Sequence, residues 1–386
     1  MSRSVDDPTA DFFASLREQG ARSLYVSDSS STATFRIEPE HYGATPIVVS
    51  DVVLFAEAVE RVPSLTALSA RRLALHSVLE KILSGLGANL EYLKLDQCGL
   101  DDSDIIGSAP ALGNLNTLSL VRVDVGDPAI GALEGLTRLK DLRLFACQVS
   151  DKSGEYIGQC FSQLERLTVF PRTEERRRKD QAFTEVGVAN VVNTCSNLKR
   201  LSFAYYKIGD PGAKHIAAAQ LSNLEHLDLG HCGISSHGVN HLSAVPWPNL
   251  RYLNISRAQL DKDGAAALAR IFGTGLEQLE VVASGIDHHD MEVLASVDLS
   301  GVVRLSLNGN PLGDLGARAL FSADLSSLES ISLSECGIGA AGAEAIAKNL
   351  PPSLKTLNMQ YNAIDERTSK LLTDASEEAG VEVSVR

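Results

Sequence analysis

Histidine and aspartate side chains that could bind a metal ion lie close together in the middle of the chain. His226, Asp228 and His231 fall within one short segment, and imidazole and carboxylate groups are common zinc ligands. The pattern described below places these residues on one strand and its edge, but it places His215 and His241 on helices that face elsewhere. At most three ligands would converge, so we predict no metal site here and no other cofactor. The His-His-Asp sequence at 288–290 is predicted to cap a helix.

The six cysteines are spread along the chain without any CxxC pair. This spacing is typical of reduced thiols in a cytoplasmic protein, and it does not indicate a disulfide framework. The sequence also lacks a nucleophile elbow, a phosphate-binding glycine loop and a zinc-protease helix. We therefore expect no catalytic residues and no enzymatic activity.

Charge and hydropathy narrow the range of partners. The formal net charge is −14, which repels nucleic acid and anionic lipid over most of a surface. The N-terminal segment has no basic stretch followed by an apolar core, and no run of apolar residues is long enough to span a membrane. We expect a cytoplasmic protein that binds neither nucleic acid nor membranes.

A tandem repeat positions all of these residues. The pattern LxxLxLxxCxL and its relaxed variants occur eleven times, and the last six intervals are all 26 residues. In residues 224–234, Leu227 and Leu229 alternate with polar residues, as in a strand with one buried face. Segments such as 261–272 have Ala and Leu at helical spacing. The repeats start at Leu90, Leu115, Leu139, Leu164, Leu198, Leu224, Leu250, Leu276, Val302, Leu328 and Leu354.

A unit of one strand and one helix cannot bury its apolar face alone, so successive units must stack. The sequence therefore predicts an α/β solenoid in the shape of a horseshoe, with parallel strands on the concave face and helices on the convex face. The ninth pattern position holds Cys98, Cys147, Cys232 and Cys336, which we expect to bond backbone groups inside the turns. Glycines that allow close packing of the helix start recur fourteen residues after the repeat start, at positions 212, 238, 264, 316 and 342.

These residues resemble the leucine-rich repeat superfamily, in the branch that joins ribonuclease-inhibitor-like, cysteine-containing and GALA-type repeats. The GALA-like segments are GAAALA (264–269), GARALF (316–321) and GAEAIA (342–347). The resemblance covers most of the chain. It implies the solenoid fold and, more loosely, a role in binding other proteins, because one scaffold serves many partners.

The ends of the array depart from the repeat. Residues 1–64 are predicted to form an N-terminal cap with a degenerate first unit, including helices at 11–19 and 50–62 and a strand at 33–39. The repeat array then spans 65–364, and 365–386 form a C-terminal cap with a final strand at 381–386. The long fourth unit contains a charged insertion at 171–183, which is either a partner-binding projection or a solvated loop.

We predict that a protein partner binds the concave wall. The third, fifth and seventh pattern positions should be exposed there, with the eighth at the edge. From the third to the seventh unit they carry aromatic and arginine side chains, which favour binding hot spots. The alternative is that the exposed rings only cover their neighbours. The candidate contact residues are Arg143, Phe145, Arg166, Phe170, Arg200, Tyr205, His226, Asp228, His231, Tyr252, Asn254 and Arg257.

Two related functions remain open. Ubiquitin-ligase substrate receptors carry similar repeats, although no F-box-like helix set is recognisable in residues 1–64. A GTPase-activating protein of the same repeat class would use an arginine near the N-terminal edge of the array, where Arg71 or Arg72 is the candidate. A monomeric interaction scaffold is the leading prediction, with a regulatory or adaptor subunit as the alternative.

Overall fold

The computed structural model of the chain describes residues 23–28, 33–36, 47–49, 66–86, 89–172, 183–272 and 275–385. The helices expected at 11–19 and 50–62 lie outside these residues, and so does most of the 171–183 insertion. The chain divides into two compact units. One unit comprises residues 1–183 and 193–197, and the other comprises residues 184–192 and 198–386. The boundaries drawn from the sequence at 64 and 364 stay predictions.

The described strands of the first unit form a sheet in the order β8-β7-β6-β5-β4-β1-β2-β3. Strands β4 to β8 are parallel to one another, and β1 pairs with β4 in the same direction. Strands β2 and β3 run antiparallel to their neighbours, a reversal that the sequence analysis did not anticipate. The strands are β1 (Ser23–Asp28), β2 (Ala33–Arg36), β3 (Ile47–Val49), β4 (Ala67–Arg71), β5 (Tyr92–Asp96), β6 (Thr117–Val121), β7 (Asp141–Phe145) and β8 (Arg166–Phe170).

Helices follow the strands from β4 onward. Within the described part of the first unit they are α1 (Leu79–Leu86), α2 (Asp102–Ser108), α3 (Asp127–Ala132) and α4 (Asp151–Cys160). Short 3-10 segments at Ala109–Leu112 and Leu133–Gly135 extend two of the repeats.

The second unit repeats the same strand and helix alternation. Its strands β9 to β16 pair in chain order, and every pair is parallel. The strands are β9 (Arg200–Ser202), β10 (His226–Asp228), β11 (Tyr252–Asn254), β12 (Gln278–Glu280), β13 (Arg304–Ser306), β14 (Ser330–Ser332), β15 (Thr356–Asn358) and β16 (Glu382–Ser384). The helices are α5 (Glu185–Val192), α6 (Gly209–Ala218), α7 (Ser236–Ser243), α8 (Lys262–Phe272), α9 (His288–Ala295), α10 (Gly313–Leu320), α11 (Ala340–Lys348) and α12 (Glu366–Ala379).

The leucines at the fourth pattern position form the core as predicted. Leu227, Leu253, Leu279 and Leu305 are aligned in the strand register, and each is at most 4% exposed. Burying a leucine side chain stabilises a fold by about 1.5–3 kcal/mol. The predicted α/β solenoid is confirmed, whereas its curvature stays a prediction.

A left-handed residue follows strands β4 to β7 and β9 to β14 and connects its repeat to the next one. Tyr205, His231 and Arg257, at the eighth pattern position, have φ of 71°, 61° and 63°. Such a conformation is costly for a residue with a side chain. The cost is offset because the amide of this residue donates to the seventh-position carbonyl of the next repeat. The N···O distances are 2.8 Å from Tyr205 to Gly230, 2.8 Å from His231 to Ser256 and 2.7 Å from Arg257 to Val282.

The ninth-position cysteines bond backbone groups, as predicted. The thiols of Cys98, Cys147, Cys232 and Cys336 each donate to a carbonyl oxygen of the preceding repeat at 3.2–3.5 Å. Burial raises the pKa of the Cys98 thiol to about 11, so this thiol stays protonated at neutral pH. Asn310 has the same position in its own repeat, where its buried amide donates to the Val281 carbonyl and accepts from the Ser284 amide.

Aspartates at the start of one helix cap the helix of the following repeat. The Asp210 carboxylate accepts from the Ser235 amide at 2.7 Å, the Ser235 hydroxyl at 2.6 Å and the Gly238 amide at 3.0 Å. Asp127 and Asp314 accept equivalent amides in their own neighbours. A Cβ at Gly238 would lie 2.5 Å from the Asp210 oxygen, which explains why glycine recurs at this position.

We expect Asp210→Ala to lower the free energy of unfolding by about 1–3 kcal/mol, because it leaves the Ser235 and Gly238 amides without their acceptor. Chemical denaturation of the purified chain measures this change. Asp263→Ala is the matched control, since Asp263 is exposed on α8 and its carboxylate accepts no hydrogen bond from the described residues. Equal losses in the two variants would contradict the capping role.

Candidate functional site

In the second unit, the exposed face of the sheet differs from the sequence prediction at two pattern positions. The third position is exposed or half-buried at Arg200, His226 and Tyr252, as predicted. The seventh position is buried in these same repeats, at Ala204, Gly230 and Ser256, and the expectation of exposure there is wrong. The seventh residue lies between two repeats, because its carbonyl accepts the eighth-position amide of the preceding repeat at Gly230 and Ser256. The eighth residue is exposed or half-buried instead. The fifth position is half-buried at Asp228 and Asn254, but Ser202 is only 6% exposed.

In the first unit, the predicted contact residues surround a buried carboxylate. Asp141 is 1% exposed and accepts two hydrogen bonds from Arg143, at 3.0 and 2.7 Å, and one from Arg166 at 2.8 Å. The Phe145 and Phe170 rings lie 6.1 Å apart, centroid to centroid, on the same two strands. The two guanidinium groups are therefore fixed by a shared ion pair, and their remaining donors face outward on side chains that are more than 40% exposed.

The sequence analysis missed Asp141. It has the third position of its pattern, where the residue was expected to be exposed. A carboxylate flanked by an arginine two residues later and by another at the third position of the next repeat was the available signal. In a parallel sheet these three side chains share one face, and a carboxylate can accept from both guanidinium groups.

In the second unit, stacked rings cover the exposed face of the sheet. The His226 and Tyr252 rings face each other across β10 and β11, with centroids 3.8 Å apart and planes at 5°. The Tyr205 and His231 rings stack at the eighth position, 4.2 Å apart with planes at 12°. Each pair contributes about 0.5–1.5 kcal/mol beyond its area burial. These four residues, with Arg200 and Arg257, are referred to below as the ring surface.

A ladder of polar side chains lies at the fifth position, beside the ring surface. The Ser202 hydroxyl donates to the Asp228 carboxylate at 3.0 Å, and the Gly230 amide donates to the same carboxylate at 3.1 Å. The Tyr252 side chain is hydrogen-bonded to Glu280. Burial raises the pKa of Asp228, of Glu280 and of the Tyr252 hydroxyl. This part of the surface is therefore largely desolvated.

The surroundings of His226 favour the neutral form of its imidazole. Burial, together with the positive charge of Arg200, lowers the pKa of His226 to about 4. The imidazole therefore stacks on Tyr252 in its uncharged form at neutral pH. Arg200 and Arg257 themselves are exposed and have no carboxylate within ion-pair distance in the described part of the chain.

The histidines singled out as metal ligands do not form a cluster. Among the described residues, the group of three that could hold a metal ion is His76, Asp101 and Asp104, whose nearest ligand atoms lie within 4.8 Å of one another. Both carboxylates are already bonded as the capping box of α2. The 288–290 sequence begins α9, as predicted. The N-cap is Asp287, and Asp290 completes its capping box from the third position of the helix.

The two arginines considered for GTPase activation are engaged with neighbouring side chains. Arg71 lies 3.2 Å from the Asp96 carboxylate, Nε to Oδ2, and Arg72 donates to the Gln97 side chain at 3.0 Å. Neither contact places these arginines in a recognisable functional motif. No helix in the described residues has the length and hydropathy needed to cross a membrane.

Comparison with known proteins identifies the class of protein. Residues 220–242, 248–269, 302–321 and 324–347 match the family model described as Leucine Rich repeat. An internalin from Listeria monocytogenes is similar in structure, with 21% identity, a TM-score of 0.55, and coverage of 87% of this chain and 89% of that chain. A chain in the Rad7 and Elc1 complex in yeast is also similar, with 16% identity, a TM-score of 0.51, and coverage of 83% of this chain and 79% of that chain.

No curated protein matches the chain. The repeat matches and the solved structures agree with the observed alternation of strand and helix. The matched segments are leucine-rich repeats, and the fold is that of leucine-rich repeat proteins. Its placement among ribonuclease-inhibitor-like, cysteine-containing or GALA-type repeats stays a prediction.

We expect His226 to make stability depend on pH. Its folded pKa is about 4 and its ordinary value is 6.5, so the unfolded chain binds an extra proton between these values. The free energy of unfolding therefore falls as the pH decreases from 6.5 to 4. Denaturation at several pH values should show a shallower decrease in His226→Gln. His237→Gln, at an exposed site on α7, is the control and should keep the wild-type slope; identical slopes in all three proteins would contradict the assignment.

Proposed function

We propose that this protein is an interaction scaffold that binds a partner protein through the exposed face of its sheet, with the ring surface as the main contact. The observation that carries the proposal is the pair of stacked ring contacts, Tyr205 with His231 and His226 with Tyr252. Arg200 and Arg257 flank these rings and form no ion pair with any residue that the structure describes. Tyrosine and arginine are enriched in binding hot spots, where a few residues supply most of the affinity.

The rings are suited to binding because they are already ordered. A stacked ring has lost much of its rotational freedom before a partner arrives, so binding loses less side-chain entropy. The strand register fixes His226 opposite Tyr252, and the left-handed backbone fixes the direction of Tyr205 and His231. The four ring residues of the ring surface are therefore ordered before a partner binds.

The charges of the ring surface favour an acidic or mixed-charge partner. Arg200 and Arg257 offer guanidinium donors that no carboxylate of the described residues occupies, whereas the chain as a whole has a net charge of −14. Asp228 and Asn254, at the half-buried fifth position, offer directional hydrogen-bonding groups. In the sequence, Asp228 lies between His226 and His231, and Asn254 lies between Tyr252 and Arg257. A partner that presents carboxylates beside apolar or aromatic side chains would complement both features.

The first unit offers a second set of proposed contacts. Arg143 and Arg166 are held in place by Asp141, and Phe145 and Phe170 add ring area to the same strands. Rigid arginines with unused donors fit the recognition of carboxylates. We propose these four residues as contacts of the same partner or of another segment of it.

The proposed scaffold is monomeric and cytoplasmic and has no enzymatic activity. The six reduced thiols and the lack of a catalytic motif in the sequence support this form of the proposal. A second candidate is an adaptor subunit that presents a bound protein to an enzyme. The likeness to a chain of the Rad7 and Elc1 complex favours this candidate, but that likeness is one of fold. A GTPase-activating role has only Arg71 and Arg72 to support it.

We expect His226→Ala/Tyr252→Ala to weaken partner binding by about 100-fold or more, since each truncated hot-spot residue typically costs about 2 kcal/mol. Affinity purification with the wild-type chain identifies the partner by mass spectrometry, and calorimetry with the purified pair then measures the loss. Circular dichroism and a thermal melt verify that the variant is folded.

Leu315→Ala/Leu371→Ala is the matched control for this experiment. Both leucines are large, exposed apolar residues on helices, at 52% and 44% exposure, so their truncation removes similar apolar area from the helical layer. The control should bind with unchanged affinity. The proposal is wrong if the ring variant binds the partner as tightly as the wild type, or if the helical control loses binding instead.

A further inference from the structure

A hollow of about 550 Å³ opens beside the ring surface in the second unit. It lies at the turns that follow strands β9, β10 and β11. Its size exceeds what a single small ion requires, since a water molecule takes up about 30 Å³ in the liquid. The residues that line it are Lys207, Gly209, His231, Cys232, Gly233 and Arg257.

Two cationic side chains in this lining have no counterion within the part of the chain that the structure describes. Lys207 and Arg257 are both exposed, and within the described ranges neither lies at ion-pair distance from a carboxylate. An exposed ion pair contributes little to stability, so the fold does not require a counterion at either side chain. In a chain with a net charge of −14, the two charges produce a local positive potential.

Within the second unit, the eighth and tenth pattern positions carry a lysine or arginine only at Arg257 and Lys207, whereas the eighth position also carries Arg72 and Arg122 in the first unit. The eighth position, occupied by Arg257 here, is Ala283, Gly309 and Glu335 in the three repeats that follow. The tenth position, occupied by Lys207, becomes Gly285, Pro311 and Gly337 in those same repeats. The repeat pattern itself therefore does not require a cation at either position.

The backbone holds the hollow open. Gly209 and Gly233 have φ of 59° and 71°, and a Cβ added at Gly233 would meet nothing within 4 Å. The Gly209 amide donates to the Cys232 carbonyl at 3.0 Å. His231 is fixed by its ring stack with Tyr205. The walls are thus held by contacts within the protein, and one side is free for a ligand to enter.

We propose that this hollow binds the carboxylate side chains of an acidic segment of the partner protein. The inference rests on the proposed function and deepens it, because His231 belongs both to the ring surface and to the lining of the hollow. A partner segment can therefore continue from the rings into the hollow. Two separated cations in an open space suit several carboxylates along a peptide better than they suit one compact anion.

The test uses a fluorescein-labelled peptide of alternating glutamate and glycine, with binding followed by fluorescence anisotropy at low ionic strength. The wild-type chain should bind it saturably, and added salt should weaken binding because the contacts are charged and exposed. Lys207→Glu/Arg257→Glu should weaken binding at least tenfold. Lys207→Ala/Arg257→Ala should give an intermediate loss, since it removes attraction without adding repulsion.

Lys214→Glu/Lys262→Glu is the matched control. These lysines are exposed on α6 and α8, and the double substitution changes the net charge by the same amount. The control should bind the peptide within twofold of the wild type. Equal weakening in the two charge-reversal variants, or the lack of saturable binding by the wild type, would overturn the proposal.

A second peptide, with phosphoserine replacing each glutamate, tests the chemistry of the anion. If only this peptide binds, and Lys207→Glu/Arg257→Glu abolishes that binding, the carboxylate assignment is overturned in favour of a phosphorylated segment. The natural partner separates this inference from the proposed function. If His226→Ala/Tyr252→Ala loses the partner but Lys207→Glu/Arg257→Glu retains it, the stacked rings stand as contacts, and neither the hollow nor Arg257 has a part in binding.

Discussion

The stacking of the repeats depends on a backbone amide just after strands β4 to β7 and β9 to β14. The residue that carries it has a left-handed conformation, so its N–H points along the stack and reaches the carbonyl of the next repeat, as from His231 to Ser256 at 2.8 Å. A hydrogen bond of this kind contributes about 0.5–1.5 kcal/mol, and it recurs from one repeat to the next within each unit. Because a left-handed residue with a side chain is strained by itself, the conformation depends on the neighbouring repeat.

The same constraint produces the proposed binding surface. Tyr205 and His231 share the left-handed backbone of the eighth position, and their rings stack with centroids 4.2 Å apart. In the strands, the parallel register brings His226 and Tyr252 to 3.8 Å. The stacking of the repeats therefore fixes the direction of each ring, while the residue type at each position is free to differ between repeats. This separation allows one scaffold to carry different binding surfaces.

The sequence predicted the strand and helix alternation because the spacing of leucines is a direct record of which side chains are buried. It predicted the role of Cys98 and Cys336 for the same reason, since a thiol at a fixed place in each turn can be inferred from the period alone. The burial of Ser256 and the ion pairs of Asp141 could not be inferred in this way. Both depend on the position of the residue relative to the next repeat, which periodicity does not reveal.

Native-state amide hydrogen exchange tests the central claim most directly. The amides of Tyr205, His231 and Arg257 should exchange slowly, because each is bonded to a carbonyl of the next repeat. The amide of Gly233, which donates to no group among the described residues, should exchange much faster although it lies in the same turns. Fast exchange at all four amides would contradict the account, because the repeats would then not be held together through the eighth position.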